Sequence, residues 1–410
     1  MPTPEEAQSA ALAAATPGRA SRLILYGAVF FDLLGFGIVI PFLPMYAKRL
    51  GVGAGAIGLI LASYSIMQFI CAPLLGQLSD RIGRRPVILL GLIGSSVSYV
   101  LYAFAGSFVG LLISRAVHGA CAGTISTAQA YVADTTEESK RAHAMGMIGA
   151  CFGLGFVLGP ALGGALGGTT GLRTPVLLAA ALTFANFIFA ALRLPESHHP
   201  AQIAPGGAGA RPRFHWRPVL LHDLHRHRKT APLLVTAFML TLAIAALEAT
   251  FALTVPAVYG YAAAGVGGLL AFAGLMQALA QGYLVRKLVP RTGELPLLIV
   301  GAAMFALGLA PLGSWSSHAA LYGMLVLIAM GYGFGSTAVA TLISRRTTHE
   351  LQGEALGLNQ SVLSLARIVG PLAAGVIYAD MGPAAPYIGA ACVATLAMLL
   401  AAGLNRERAI

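Results

Sequence analysis

The sequence predicts an all-α membrane protein, with twelve crossings in two six-helix repeats around a central cavity. Three observations carry that prediction. First, 57% of the 410 residues are hydrophobic and only 10% are charged, against roughly a quarter charged in an ordinary soluble domain. The mean hydropathy is +0.78, and a soluble chain of this length would need far more polar surface to cover itself. Second, the apolar residues fall in runs close to the ~20 residues that one helical crossing needs. Third, a motif recurs at a fixed offset. Gly159-Pro-Ala-Leu-Gly-Gly164 returns 211 residues later as Gly370-Pro-Leu-Ala-Ala-Gly375, and Met145-Gly146 returns as Leu356-Gly357.

In order, the runs predict crossings over 23–47, 55–78, 86–106, 108–133, 143–166 and 174–194, then 231–258, 264–285, 295–313, 319–343, 354–379 and 384–404. Glycine clusters and Pro44, Pro86, Pro175, Pro232 and Pro290 punctuate them. The Ala-rich stretch from Met1 to Ala20 carries Glu5 and Glu6 and lacks the basic start of a secretion signal, so the first run reads as a retained crossing. The resulting division is a tail over 1–22, a six-helix bundle over 23–194, a connector over 195–230, a second bundle over 231–404 and a tail over 405–410. Two parallel repeats of this kind place a binding site at their interface near mid-membrane and rock about it, which implies transport.

The basic residues choose the orientation. With the N-terminus inside, 21 of the 26 Lys and Arg fall in inside segments. Only Lys48, Arg49 and Arg173 fall outside, and Arg115 and Arg367 lie within crossings. That bias predicts cytoplasmic termini. It also accounts for the net charge of +11 without a nucleic-acid partner. The connector holds His215, His222, His225 and His227 among basic residues. It reads either as a metal-binding tract or as a solvated linker with a basic piece on the lipid surface, and no fixed ligand spacing favours the metal. Cys71, Cys121, Cys151 and Cys392 sit inside apolar runs with no CxxC pair, as packing residues do.

Other chemistry is excluded by context. Gly331-Tyr-Gly-Phe-Gly335 and Gly153-Leu-Gly155 follow no strand of a βαβ unit, and read as helix-packing glycines. There is no GxSxG, HExxH or Walker loop in the chain, so neither a hydrolase nor an ATP-driven pump is expected, and no cofactor or metal is called for.

Gly76-Gln-Leu-Ser-Asp-Arg-Ile-Gly-Arg-Arg-Pro86 joins crossings two and three. Gly76 would let helices approach, Gly83 allows a tight turn, Asp80 can cap a helix or pair with an arginine, and Pro86 suits a helix start. This loop resembles the signature loop of the major facilitator superfamily. Asp32-Leu-Leu-Gly-Phe-Gly-Ile-Val-Ile-Pro-Phe-Leu-Pro44 resembles the first-helix motif of its twelve-helix drug/proton antiporters. Arg115-Ala-Val-His-Gly-Ala-Cys-Ala-Gly123 resembles their fourth-helix arginine motif. Gly155-Phe-Val-Leu-Gly-Pro-Ala-Leu-Gly-Gly164, with Gly155, Gly159, Pro160, Gly163 and Gly164, resembles their fifth-helix antiporter motif. The likeness spans about residues 20 to 405 and is greatest to the tetracycline-efflux and multidrug-efflux group.

The resemblance implies a major facilitator fold and proton-coupled export of a drug-like small molecule by a monomer in the bacterial inner membrane, with an antibiotic-resistance role. It implies a cytoplasmic latch of Gly76, Asp80, Arg81, Gly83, Arg84 and Arg85, with Asp134 as charge partner. The second-half counterpart, Gly282 to Arg291, has no acidic residue, so one working latch is expected. Tetracycline exporters also carry acidic residues in helices three and nine. Val87 to Gly106 and Leu295 to Gly313 contain none, which argues against a metal–tetracycline cargo. A carrier for a specific metabolite, importers included, is the competing reading.

Four charged residues stand inside crossings: Asp32, Arg115, Glu248 and Arg367. Each costs about 2.5–3.5 kcal/mol at a helix centre, and such residues usually face a cavity. Asp32 and Glu248 occupy counterpart helices. A carboxyl kept from water favours its neutral form and can exchange a proton, while a nearby Arg115 favours release. Those three are therefore the expected proton-coupling groups. The alternatives are a fixed Asp32–Arg115 pair and a Glu248 that selects cationic cargo or bonds its neighbours. His118, one turn from Arg115, is either a relay or a packing residue. Asn186, Tyr259, Gln277, Gln281, Asn359, Gln360 and Arg367 are the expected polar groups of the substrate cavity, and Arg367 could equally bond backbone carbonyls.

Overall fold

The computed structural model describes residues 19–39, 42–136, 138–197, 230–347 and 352–406. The His-rich tract, both extreme termini and the loop around His349 lie outside them. Every predicted crossing is a helix. The first is α1 (Arg19–Val39) and α2 (Leu43–Arg49), followed by α3 (Ala54–Ile82) and α4 (Arg84–Ala103). The fourth is split into α5 (Phe108–Cys121) and α6 (Thr124–Thr135), then come α7 (Glu138–Thr170) and α8 (Arg173–Arg193). The second half has α9 (Ala231–Tyr259), then α10 (Ala263–Leu279) running through a π-helical turn (Ala280–Leu284) into α11 (Val285–Thr292). It ends with α12 (Glu294–Leu309), α13 (His318–Arg346), α14 (Gln352–Met381) and α15 (Ala385–Arg406).

Eleven helical segments among the described residues are long and apolar enough to cross a membrane. The span expected over 295–313 is shorter: α12 has 16 residues, about 24 Å at 1.5 Å per residue, and gives way to a turn at Ala310. Several helices outrun the apolar runs at the end where α1 begins, here called the near end; α3 continues to Ile82 and α13 to Arg346. Charged residues do not stop a helix at that end, because they leave the bilayer there.

The repeat is visible in the helix caps. Ser107 accepts a hydrogen bond from the Gly110 amide, and Ser317, 210 residues on, accepts one from Ala320. Each thereby satisfies one of the free amides at the start of its helix.

It is clearer still in how backbones meet. A Cβ on Gly159 would lie 2.5 Å from the Gly37 carbonyl carbon, so α7 rests directly on α1. Its counterpart Gly370 faces Ala245 and the Leu242 carbonyl at 2.9 and 3.0 Å, so α14 rests on α9. Five residues further along each helix, contact passes to the other half. Gly164 meets Gly267 of α10, and Gly375 meets Gly58 and Ala54 of α3. The carbonyls of Pro160 and Pro371 point at Gly267 and Gly58 in the same way. Only glycine lets helices come this close, and in a bilayer close packing is a main source of helix association.

These crossings lie toward the end opposite the near end, the far end. The far-end core of the first half, with Phe42, Tyr46 and Ile57, also takes in Leu253 and Ala263 of the second. The near-end ion pairs described below each stay within one half. The described close contacts between the halves are thus concentrated toward the far end, and a central space lies between the halves.

Gly55 of α3 lies against Val376 of α14, with 3.9 Å from an added Cβ to a Val376 methyl. Oxidation of a Gly55→Cys/Val376→Cys pair, in a chain lacking the four native cysteines, should remove both thiols from maleimide labelling.

Candidate functional site

Three of the four charged residues inside the crossings, Arg115, Glu248 and Arg367, converge on the central space. A cavity of about 40 Å³ is lined by Phe36, Leu61, Tyr64, Ser65 and Arg115 from the first half, and by Ala245, Glu248, Ala249, Arg367 and Pro371 from the second. Arg115 is 2% exposed. Its guanidinium carbon stands 4.7 Å from the Tyr64 ring centre and 5.8 Å from that of Phe36, an arrangement favoured by the negative ring faces. Its Nη1 donates to His118 Nδ1 at 3.1 Å. Because arginine has no acceptor, Nδ1 must be the unprotonated nitrogen of a neutral ring. The His118 proton then sits on Nε2, 3.5 Å from the Tyr99 hydroxyl. Edge contacts with Phe36, Tyr64 and Tyr99 cage the ring. His118 thus holds Arg115 in place.

Backbone irregularity in the fourth crossing supports this wall. A Cβ on Gly119 would strike the Tyr64 carbonyl, and one on Gly123 would meet Leu75 at 2.6 Å, so α5 and α6 press on α3. Between the two helices the Ala122 amide bonds the Gly119 carbonyl, a tight turn that breaks the ladder. The Ala122 carbonyl is left for Gln68 of α3, at 3.5 Å, as expected where a side chain enters a kink.

On the opposite wall Arg367 and Glu248 approach to 4.0 Å, each with 35% of its side chain exposed. Gln360, Ser364, Arg367 and Pro371 recur at helical spacing along one face of α14, so that face lines the space between the halves.

Asp32 stands apart from both arginines. Among the described residues no ion pair joins it to Arg115, which removes the fixed-pair alternative. Its carboxyl lies beside Ser95 of α4, and Oδ1 is buried without a hydrogen-bond partner. Close by, on the same side of α1, Gly35 packs against Thr183 and Tyr99. Asp32 is half-buried, next to the α1–α4–α8 contact and one helical turn from Phe36 of the cavity wall.

Other expected cavity groups divide. Asn186 is buried and donates to the Ala28 carbonyl at 2.8 Å. It ties α8 to α1 and does not face the cavity. Tyr259 is at the far end, where its hydroxyl accepts from the Gly313 amide at 3.5 Å, again away from the cavity. Gln277 is half-buried. Gln281, in the π-helical turn, donates to Ser336 of α13 at 3.4 Å. Asn359 has a buried, unpartnered Oδ1 and Gln360 is exposed. Phe36, Tyr64 and Gln68 escape a sequence reading, since aromatic and amide residues in an apolar run carry no sign of which way they face.

At the near end Arg84 organises the signature loop. Its Nη1 donates to Ser79 at 2.7 Å and Asp80 at 2.5 Å, and its Nε donates to Asp134 at 3.0 Å. Gly83 has φ of +103°, and a Cβ there would collide with Glu196. The Glu196 carboxylate accepts from the Arg84 and Arg85 amides at 2.8 and 3.2 Å, capping α4 where the helix dipole favours an anion. Arg85 bonds the Ala191 carbonyl of α8, and Arg81 is exposed. Gly76 has open space where a Cβ would stand, so the close approach expected of it is not made here.

The second half has its own near-end pair, displaced from the loop where a second latch would be sought. Gly293, with φ of +80°, precedes α12 as Gly83 precedes α4. Glu294 then meets Arg345, at the end of α13, at 2.6 Å. The positions match Arg84 and Asp134, shifted by 210 and 211 residues, with the charges reversed. The sequence does not announce the pair because its partners are 51 residues apart.

A twelve-helix fold, an internal duplication and charged groups at a central interface define a membrane transporter. The Major Facilitator Superfamily model matches residues 25–371 and 291–409, and the chain belongs to that superfamily. It is 33% identical to the class C tetracycline resistance protein of Escherichia coli over 87% of this chain and 89% of that one. It is 34% identical to the class G protein of Vibrio anguillarum, over 88% and 91%. It is 29% identical to the quinolone resistance protein NorA of Staphylococcus aureus, over 87% and 89%. Among solved structures, the human organic anion transporter MFSD10 (TETRAN) matches with a TM-score of 0.68 and 25% identity, over 94% and 99%. The nucleoside transporter NupG gives 0.72 at 15% identity, over 93% and 98%, and shows the fold alone.

The near-end network predicts unequal stability effects. Arg84→Gln leaves two carboxylates without the cation between them and should cost about 3 kcal/mol. Asp80→Asn removes a carboxylate that is 62% exposed and should cost about 0–1 kcal/mol. Glu294→Arg should destabilise and be rescued by Arg345→Glu. Melting of the purified proteins in detergent measures all four.

Proposed function

We propose that the chain exports drug-like organic molecules across the inner membrane of a bacterium, exchanging them for protons by alternating access. The observation that carries this reading is the cavity itself. It lies where the halves meet, it is walled by charged groups from both, and its far end is closed by glycine crossings built to separate. The family and the drug-resistance names of several relatives support export of small molecules.

In this reading the bundles over 23–194 and 231–404 rock about the cavity, and the connector over 195–230 lets them move. The near end is cytoplasmic in this reading, as the basic bias predicts, and the close far-end crossings suit a state that receives cargo from the cytoplasm. When the halves close at the near end, the Asp80 face of the loop meets the second half and the far-end crossings part. Asp32, Arg115 and Glu248 carry the proton coupling. Asp32 takes up a proton beside Ser95, and its loss of charge alters the field at Arg115. One chain supplies both walls, so a monomer suffices.

Metal-bound tetracycline is not the favoured cargo. The only carboxylate at α12, Glu294, sits at the helix start and is held by Arg345. One fold neighbour is named an organic anion transporter, so the charge of the cargo is a question for the cavity's own residues.

Efflux from reconstituted vesicles tests the reading, with tetracyclines, cationic dyes and phenicols as cargo. An imposed pH gradient should drive transport, Asp32→Asn should abolish the gradient's effect, and Glu248→Gln should reduce it. Transport that ignores the gradient, or none across the panel, would favour a narrow metabolite carrier instead.

A further inference from the structure

The charged wall of the central cavity is cationic on balance. Arg115, Glu248 and Arg367 are its charged residues, two positive against one negative. Glu248 serves only Arg367, at a separation that is the outer limit of an ion pair. Arg115 is almost wholly buried and forms no ion pair among the described residues. Its company is a neutral imidazole and two rings, and its Nε has no hydrogen-bond partner. Arginine keeps its proton in proteins, so it holds a full positive charge beside the cavity. Burying a charge without an opposite charge is costly. The carboxylate of the first half, Asp32, lies beside Ser95 and forms no ion pair with Arg115 among the described residues.

We propose that the cavity binds its cargo through a carboxylate received by Arg115 and Arg367, with Glu248 as the resident anion that yields Arg367 when cargo arrives. This takes the cavity as the cargo site, as in the export reading above. The remaining lining suits the rest of such a molecule. Phe36, Leu61 and Tyr64 on one side and Ala245, Ala249 and Pro371 on the other would hold an aromatic or aliphatic body. Guanidinium groups favour a carboxylate over a neutral amide because they donate paired, charge-assisted hydrogen bonds. A cationic molecule would meet two like charges and a single carboxylate that is already engaged. The loose Glu248–Arg367 contact makes the exchange feasible: both side chains are partly exposed and neither is locked by a short bond.

The test is equilibrium binding to the full chain in lipid nanodiscs, with no gradient. The probes are 2-naphthoate, the uncharged 2-naphthamide and 2-naphthylmethylammonium, titrated by calorimetry. Naphthoate should bind at least about tenfold more tightly than the amide, the scale of a charge-assisted contact. Arg115→Gln and Arg367→Gln should each erase that preference, while Glu248→Gln should keep or increase it by removing the competing anion. If the unmodified protein shows no preference for naphthoate, including no binding of either probe, the proposal fails. It also fails if the ammonium binds best and Glu248→Gln abolishes its binding. The probe comparison on the unmodified protein decides the matter even if an arginine variant misfolds. Gradient-driven efflux without a naphthoate preference would leave the export reading and sink this one; a naphthoate preference without efflux would do the reverse.

Discussion

The structure depends on backbone meeting backbone at the glycines of α7 and α14. In a bilayer, lipid tails compete equally with side chains for apolar contact, so helices associate through close packing. Gly159 and Gly370 seat each long helix on the first helix of its own half, and Gly164 and Gly375 seat it on a helix of the other. One face of each helix is thus intramural and the next face is shared. The shared crossings contain few side chains to interlock and no described ion pair, so they can part without leaving a buried charge exposed. The crossings within each half are backed by cores of large residues, such as Leu25, Ile88 and Tyr131 in the first and Phe251, Phe305 and Tyr387 in the second. On the proposed reading, that contrast would let the two bundles share a movable seam.

Charge is distributed to suit the same division. Near-end ion pairs fasten the ends of neighbouring helices inside each half: Arg84 to Asp134 across α4 and α6, and Glu294 to Arg345 across α12 and α13. Because these groups are satisfied within their own half, opening the near end strands none of them. The reversal of sign between the halves shows that the fold needs a pair at this place and is indifferent to which partner carries the positive charge. What distinguishes the first half is the extra acceptor, Asp80, exposed at the end of α3 and able to meet the second half when the two close.

Most of the fold is legible in the sequence because the bilayer imposes one length on every crossing, and run length reports that length directly. The signature loop is legible because its glycine, aspartate and arginine sit within about ten residues of each other. Facing is not. α9 is apolar all round, so its sequence has no stripe to show that Glu248 points to a cavity while Tyr259 points to a far-end turn. Polarity alone assigns Asn186 to the cavity, yet it lies between α8 and α1, where it has the Ala28 carbonyl to bond. Glu196 stands in the sequence as an ordinary linker residue, although it caps a helix 112 positions earlier. Contacts at such separations leave no local pattern.

The lack of a described ion pair between Asp32 and Arg115 bears on how a proton and a cargo could be exchanged. A carboxyl in direct contact with Arg115 would gain charge only by pairing with it, and cargo would have to compete for the same atoms. Asp32 instead has a partnerless oxygen and a neighbouring serine, and its charge reaches Arg115 through space. On the proposed reading, a negative Asp32 weakens the pull of Arg115 on an anionic cargo, and a neutral Asp32 restores it. Protonation from one side and cargo release on the other then require an opposite order from that of a cationic exporter, in which proton and cargo displace each other from one carboxylate. The two carboxyls of the repeat are thus not equivalent: one sets the field, and the other contests the ligand.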